Sequence, residues 1–575
     1  VREVKLPDLS EIRDDVEFKP SHMDNEPTYR PVVGVSLGCE LGGLASPHVD
    51  TTDPLTSLGG MGKRLAFRPP WPVKVKLRKI RRFTLRWCRR NLTPLSPDSD
   101  VSFETWIANA PYTQVRKDQL TKIYEEKCSK DPYYNVYFAK RKGKITDTEV
   151  MSFIKDETYD EYKYSRGIYS RTDVFKVIVA PVIKLIENEI YKTEYADNDY
   201  RSYFIKKVPV SQRPQEIMEM YSADAIYAAT DYTSFEGHFK SCIMKCIEGT
   251  VYEYMHQLLP CAAFFRETFL RTIYGLNACN FYYFVILIEA TRMSGEMNTS
   301  LGNGISNLLI MLFICEQRGL PPPRGYVEGD DGIFRFMNKH NVPTIADYAD
   351  LGFTIKIEWH KSLATASFCG IIFSEEDLNN ITDPISTMIG FGWTTRRYCR
   401  SKDKKLKELL KAKSFSLLYS YPGCPILRNL AEYGLRVTQD SRFLFNPENT
   451  YEREKVISML EYVTGNPKFS EITIGMSTRI LVSERYGIPV ETQILFEKYL
   501  DSLNTIQTLN VDLLMSFIHP DAADYSLRYV CDVDYKRSDL DYLPSYNSSA
   551  IPFTRSLIDE INETRNFSRF IPLKR

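Results

Sequence analysis

Gly319 and the run Pro321-Pro322-Pro323 punctuate the middle of the chain more sharply than anything else in it. Consecutive prolines supply no backbone donors and hold φ near about −65°, so no helix or central strand passes through them. The segment before them, Asn298 to Arg318, carries apolar residues at helical spacing and is expected to be a helix that stops there. The segment after them, Arg324 to Phe336, reads as two strands joined at Gly329-Asp330-Asp331-Gly332, whose residue types suit a tight turn. Helix-period and strand-period segments thus both occur, and a mixed architecture is expected rather than an all-α or an all-β one.

Other segments fill in the pattern. Ala225 to Asp231 reads as a short strand ending in polar residues, followed by a long helix over Phe235 to Leu259. Tyr112 to Lys127 and Thr172 to Tyr191 have helical periodicity, and the pattern beyond residue 385 is mainly helical. Residues 1–95 are rich in Pro, Gly and charge and read as an extension that wraps over or tethers something larger. No internal repeat is evident. At 575 residues and 43% apolar composition, the chain is long enough for about four domain-sized units of roughly 150 residues.

Charge balance is neutral, with 74 Lys plus Arg against 74 Asp plus Glu, so a phosphate-binding surface has to come from local segregation. Residues 63–90 show such segregation: 12 basic residues, no acidic one, and Phe67, Trp71, Phe83 and Trp87 interleaved. That mixture suits RNA or an anionic membrane surface, and equally a solvated basic arm. The twelve cysteines form no C-x-x-C pair and no regular framework, and read as reduced, mostly buried thiols. No apolar run approaches the ~20 residues that span a bilayer, and no signal peptide is recognisable. The first residue is Val, so the chain reads as a trimmed one, a processed product or a piece of a longer translation product.

Asp231 at a strand end and Asp330-Asp331 in a hairpin turn are positions where rigid β-structure can hold carboxylates side by side. Nucleotidyl transfer needs such a site, because two Mg²⁺ ions ~3.5–4 Å apart activate the attacking hydroxyl and neutralise the pyrophosphate. Singly each signal is weak: an Asp after a strand often caps a helix, and Gly-Asp-Asp-Gly turns occur in inert hairpins. Three further features agree with the metal reading. Ser294-Gly295 precedes a helix on which Thr299 and Asn303, four apart, share a face and can meet a ribose 2′-hydroxyl. Glu236, five residues after Asp231, can reach the sugar end of the same nucleotide. Upstream basics, among them Lys155, Lys163, Arg166 and Arg171, can offset a triphosphate's charge.

Taken together these residues resemble the viral RNA-dependent RNA polymerases, most closely the tombusvirus-like and nodavirus-like lineages of positive-strand viruses. Asp231-x4-Glu236 looks like motif A, Ser294-Gly295-x3-Thr299-x3-Asn303 like motif B and Gly329-Asp330-Asp331 like motif C, in an A-B-C order that argues against the permuted polymerases. Lys155, Lys163 and Arg166 resemble motif F, Leu351 to Lys361 motif D, and Ala366 to Gly370 motif E. The similarity spans roughly residues 150–375.

The resemblance implies an α+β, right-handed fold of fingers, palm and thumb with an antiparallel palm sheet, a mainly helical thumb and an N-terminal extension. The expected division is an extension over 1–95 with its basic arm at 63–90, fingers over 96–223 (motif F at about 152–171), palm over 224–385 with a fingers insertion at about 240–290, and thumb with the C-terminal region over 386–575. Asp231 and Asp330 would bind two Mg²⁺ ions, for which Mn²⁺ can substitute, with Asp331 assisting. Glu236, Ser294, Gly295, Thr299 and Asn303 would inspect the ribose, and Lys155, Lys163 and Arg166 would clamp the triphosphate. Lys361, preferred over Lys356, would protonate the pyrophosphate. Glu236 departs from the family's usual Asp. The implied partners are RNA template and nascent strand, NTPs, viral replication proteins and, through residues 63–90, a membrane. The implied setting is the host cytoplasm, at membrane-associated replication sites, or the virion. A non-catalytic RNA-binding scaffold with the same fold is the rival reading, and a reverse transcriptase a more distant one.

Overall fold

In this computed structural model the described residues are 11–21, 34–128, 148–395, 398–442 and 472–520, less positions 43, 47, 48, 50, 52, 160–162, 396, 397 and 399. The strands in chain order are β1 (Glu17–Pro20), β2 (Val35–Ser36), β3 (Val150–Ile154), β4 (Gly167–Arg171), β5 (Ile226–Tyr232), β6 (Leu276–Asn280), β7 (Phe284–Glu289), β8 (Arg324–Glu328), β9 (Asp331–Phe336), β10 (Ile355–His360), β11 (Ile372–Phe373), β12 (Asn380–Ile381) and β13 (Trp393–Thr394). With helices spread from Pro54 to Ser502, the protein is α+β as expected.

The central sheet has four strands in the order β10-β5-β9-β8, all antiparallel. β8 and β9 are the hairpin expected from the turn residues, and Gly329, at φ 62°, takes the left-handed conformation that lets the chain reverse there. Behind the hairpin lies the helix Thr299–Gln317, which stops where the prolines require it. By length and composition it is apolar enough to cross a membrane, but 83% of it is buried, and its residues Leu301 to Cys315 form the centre of the largest core. An all-round apolar helix is stable in water only in such a place.

A second sheet, β1-β7-β6-β3-β4, joins three distant parts of the chain. Its β6–β7 hairpin lies within the stretch expected as an insertion into the palm, and β3 pairs with β6 in parallel at Val150–Cys279. The N-terminal residues contribute β1 and the packing residues Ile12, Val16, Leu58, Met61 and Leu65. The helix Lys74–Asn91, from the basic stretch, buries Ile80, Phe83, Thr84, Trp87 and Cys88 in the main core and leaves its cations outside. Residues 35–41 cross to the far end, where Val35, Leu37, Cys39 and Leu41 pack with the C-terminal helices Asp403–Ser420, Leu427–Val437, Met476–Tyr486 and Val490–Ser502 in a separate cluster.

One expected helix is broken. Phe235 to Leu259 divides into a short 3-10 turn, Phe235–His238, and helices Ser241–Cys246 and Glu248–His256. Lys240 between them is extended, because its ammonium donates to the carbonyls of Pro69 and Pro70 and lies 3.7 Å from the centre of the Trp71 ring. A second break falls at Ile247, where φ −107° and ψ −93° are not helical. The ten cysteines among the described residues are free thiols, as the sequence suggests.

Candidate active site

β5 alternates so that its end approaches the hairpin turn. Thr230 pairs with Gly332 on one side, and Asp231 pairs with Lys356 on the other. Asp231 therefore stands one residue beyond the last β5–β9 pair, beside the turn that carries Asp330 and Asp331. Ser234, at φ 52°, then bends the chain so that Glu236 follows directly.

The electrostatics report the crowding. Burial, and then the charges of Glu236 and Asp231, push the Asp330 carboxyl up to about 6, with Arg166 acting in the opposite sense. Burial, followed by Asp330, Asp231 and Glu328, pushes Asp331 up to about 7. Asp231 is also raised, by its partial burial, against the pull of Lys356. A carboxyl raised by neighbouring carboxylates in this way marks a site with a deficit of positive charge. The donors are all oxygen, which fits Mg²⁺ or Mn²⁺ rather than a softer ion. Among the described residues, no three His, Cys, Asp or Glu side chains are already disposed as a metal cage. Mg²⁺ tolerates that, since it usually takes one or two carboxylates and completes its shell with water and substrate phosphate.

The turn is held from behind by a residue the sequence reading did not single out. Asn307 Nδ2 donates to three successive carbonyls, those of Gly329 (3.4 Å), Asp330 (3.0 Å) and Asp331 (3.0 Å). The signal was present: Thr299, Asn303 and Asn307 continue one polar stripe at four-residue steps on an otherwise apolar helix. From the other side Cys369 meets the hairpin, its thiol donating to Glu328 at 3.6 Å. Cys369 and Gly370 both have positive φ, 54° and 73°, so Phe368 to Ile371 is a primed turn.

Ser294 and Gly295 do not point freely into a cavity. Ser294 Oγ donates to the Gly167 carbonyl (3.2 Å) and accepts from the Tyr169 amide, and Gly295 N–H donates to the Tyr169 carbonyl at 2.8 Å. The loop thus runs on as a partner of β4, the strand that follows Lys163 and Arg166. A Cβ at Gly295 would lie 2.8 Å from the Tyr169 carbonyl oxygen and 2.9 Å from Ser170 Cα, so only glycine fits. Thr299 Oγ1 donates to the Met293 and Glu296 carbonyls, fastening the start of its helix. Asn303 Oδ1 accepts from Arg292 Nε at 2.9 Å.

Of the basic residues, Lys155 and Arg166 flank one carboxylate. Glu157 lies 2.9 Å from Lys155 Nζ and 3.7 Å from Arg166 Nε, and it also accepts from the Tyr159 hydroxyl. Lys163 is exposed nearby, whereas Arg171 is buried in an ion pair with Glu296 and is structural.

Lys361 lies at the opposite end of β10 from Asp231. β10 runs antiparallel to β5, with Ile355 opposite Tyr232 and His360 opposite Tyr227, so Lys361 follows the end of β10 remote from Asp231. Five or so residues at about 3.3 Å each separate the two, beyond the reach of a lysine side chain. Lys356, directly opposite Asp231, is the lysine that the sheet brings to the site.

A family model described as viral RNA dependent RNA polymerase matches residues 138–508, well over half of the chain, and takes in every residue of this site. The chain belongs to the viral RNA-dependent RNA polymerases. The matched group is the tombusvirus-like and nodavirus-like one that the motifs resemble. No curated protein matches the chain. The polymerase is accordingly an RNA-directed nucleotidyltransferase of viral RNA replication, acting on RNA template and NTPs with a divalent metal, and its family replicates RNA in the host cytoplasm. That membership sets aside the reverse-transcriptase reading.

Proposed function

We propose that the polymerase extends RNA at the end of the central sheet, with Asp231 and Asp330 as the ligands of two Mg²⁺ ions, replaceable by Mn²⁺, and Asp331 as their support. The observation that carries this is the sheet register that sets Asp231 beside the turn bearing Asp330 and Asp331, where the charges of Asp231 and Glu236 raise the Asp330 carboxyl. Metal ions bound there would supply the charge that activates the 3′-hydroxyl and neutralises the leaving pyrophosphate.

The remaining roles fall to the chain's own groups. Lys155, Lys163 and Arg166 receive the triphosphate, with Lys155 and Arg166 leaving Glu157 as the phosphates arrive. The RNA 3′-hydroxyl gives its proton to water as its oxygen bonds to the α-phosphorus, the bond from that phosphorus to the α–β bridging oxygen breaks, and Lys356 donates a proton to the departing pyrophosphate. Asn303 and Glu236 meet the ribose. Ser294, Gly295 and Thr299 hold the loop and helix that place Asn303. In this reading the central sheet is the palm within 224–385, the five-stranded sheet and its helices belong to the fingers (96–223 with the insertion at about 240–290), and residues 386–575 contain the thumb. The N-terminal 1–95 ties these parts together. The outer face of Lys74–Asn91 suits an anionic membrane at replication sites, and viral replication proteins are the expected companions there.

Templated incorporation of ribonucleotides with Mg²⁺ or Mn²⁺ tests the assignment. Asp330→Ala is expected to abolish incorporation while RNA binding persists, and incorporation at the wild-type rate by that variant would refute the metal role.

A further inference from the structure

Arg292 lies outside the residues given a role above, yet it is the largest fully buried side chain beside the site. It and Glu248 are each 0% exposed and pair at 2.6 Å through Nη2 and Oε1. Its guanidinium lies over the Phe239 ring, 4.4 Å from Cζ to the ring centre. Its own amide donates to the Glu236 carbonyl at 3.1 Å, and its Nε to Asn303 Oδ1 at 2.9 Å. Burying an ion pair is costly unless its geometry is fixed, and one retained at a site is a candidate for specifying a conformation rather than adding stability.

The conformation at stake is the orientation of an amide. An Asn side chain has one end that only accepts and one that only donates, and the two are hard to tell apart by shape alone. A guanidinium has no acceptor, so whatever faces Arg292 has to be the oxygen. Asn303 therefore has one allowed orientation, with Nδ2 turned away from Arg292. Nδ2 makes no hydrogen bond among the described residues and is not one of the fully enclosed unpaired atoms, so the 4% of Asn303 that remains exposed includes its N–H donors. One helical turn further along, Asn307 grips the catalytic hairpin, which places Asn303 beside it on the same stripe.

We propose that Arg292 is a positioning residue for sugar recognition: it locks Asn303 with its donors outward, so that the enzyme reads the nucleotide's 2′ substituent as a hydrogen-bond acceptor at Asn303, and Glu236 takes the 2′-hydroxyl proton as a hydrogen bond. The inference rests on the placing of the nucleotide at this site under Proposed function. It accounts for the pairing of a fixed donor with Glu236, whose carboxylate makes no hydrogen bond or ion pair among the described residues, since a hydroxyl is the substituent that can satisfy both at once. A site built around a hydroxyl rejects analogues that leave its polar groups unpaired.

The test measures Kd values of 2′-hydroxyl, 2′-deoxy, 2′-fluoro and 2′-amino CTP by equilibrium binding to the complex of the full chain with primed RNA, so that a slow variant still reports. Asn303→Asp keeps the Arg292–Glu248 pair and can bond Arg292 through one oxygen, leaving an acceptor where the donors were. Its preference for 2′-fluoro over 2′-amino is expected to fall at least tenfold relative to the wild type. Arg292→Met frees the amide and is expected to lower the preference for 2′-hydroxyl over 2′-deoxy about tenfold, whereas Arg292→Lys, which also only donates, is expected to keep most of it. An unchanged fluoro-to-amino ratio in Asn303→Asp overturns the proposal, as does unchanged sugar preference in a folded Arg292→Met. Should Arg292→Met fail to fold with Glu248 unpaired, Arg292→Met combined with Glu248→Leu takes its place, with the same expected and overturning results. Asp330→Ala that remains active would instead count against the metal assignment, and these binding ratios do not depend on it.

Discussion

Asp330 and Asp331 carry a cost in the folded chain that cations can relieve. Their ordinary value is 3.8, and burial with neighbouring carboxylates raises them to about 6 and about 7. Between those limits the folded protein binds more protons than the unfolded chain, so stability falls as pH rises from about 4 to about 7, and the penalty is complete above that range. Asp331→Asn removes its share, and its melting temperature without divalent metal is expected to exceed that of the wild type at pH 8 and to converge with it near pH 4. Allowing for partial exposure, the difference at pH 8 is about 1–3 kcal/mol. Asn307 makes the opposite kind of contribution, satisfying three carbonyls with one amide group. Asn307→Leu leaves them unpaired and lets the turn shift; kcat in primer extension is expected to fall about 100-fold with little change in KM for NTP. The carboxylates were legible in the sequence because strand ends and turn glycines announce themselves. Asn307 was not, because a buried polar residue on an apolar helix reads equally as a packing contact.

At the scale of elements, the sheet register favours Lys356 over Lys361, the lysine that the motif reading preferred. Lys356 sits inside β10, and that place in the strand is what sets it opposite Asp231. Lys356→Leu is expected to lower kcat about 10- to 100-fold, while Lys361→Leu stays within about twofold of the wild type, as measured by single-nucleotide incorporation. The helix Thr299–Gln317, the strand Ile226–Tyr232 and the β8–β9 hairpin lie where periodicity and proline placed them. The long helix expected after Phe235 is broken by a tertiary contact, Lys240 on the Pro69-Pro70-Trp71 segment, and no window of local sequence contains that contact. The same holds for the pairing of β3 with β6, strands more than a hundred residues apart.

At the scale of the whole molecule, the N-terminal residues are part of the structure: they supply a strand to one sheet, a helix to the main core and four side chains to the C-terminal cluster. Composition revealed the charge of residues 63–90 but not that their apolar positions are buried. The outer face of Lys74–Asn91 presents Arg78, Arg82 and Arg89, exposed and with no hydrogen bond or ion pair among the described residues. Deleting this helix would open the core, so reversal of those three charges is the cleaner probe. It is expected to abolish flotation with vesicles rich in phosphatidylserine and to leave primer extension in solution unchanged. The account as a whole turns on a strand end and a hairpin turn a hundred residues apart serving the same cations. Anomalous diffraction from crystals grown with Mn²⁺, primed RNA and a non-hydrolysable NTP tests this most directly. Two peaks about 3.5–4 Å apart, with Asp231 and Asp330 both in their coordination shells, are predicted; Mn²⁺ bound with either residue outside those shells would contradict it.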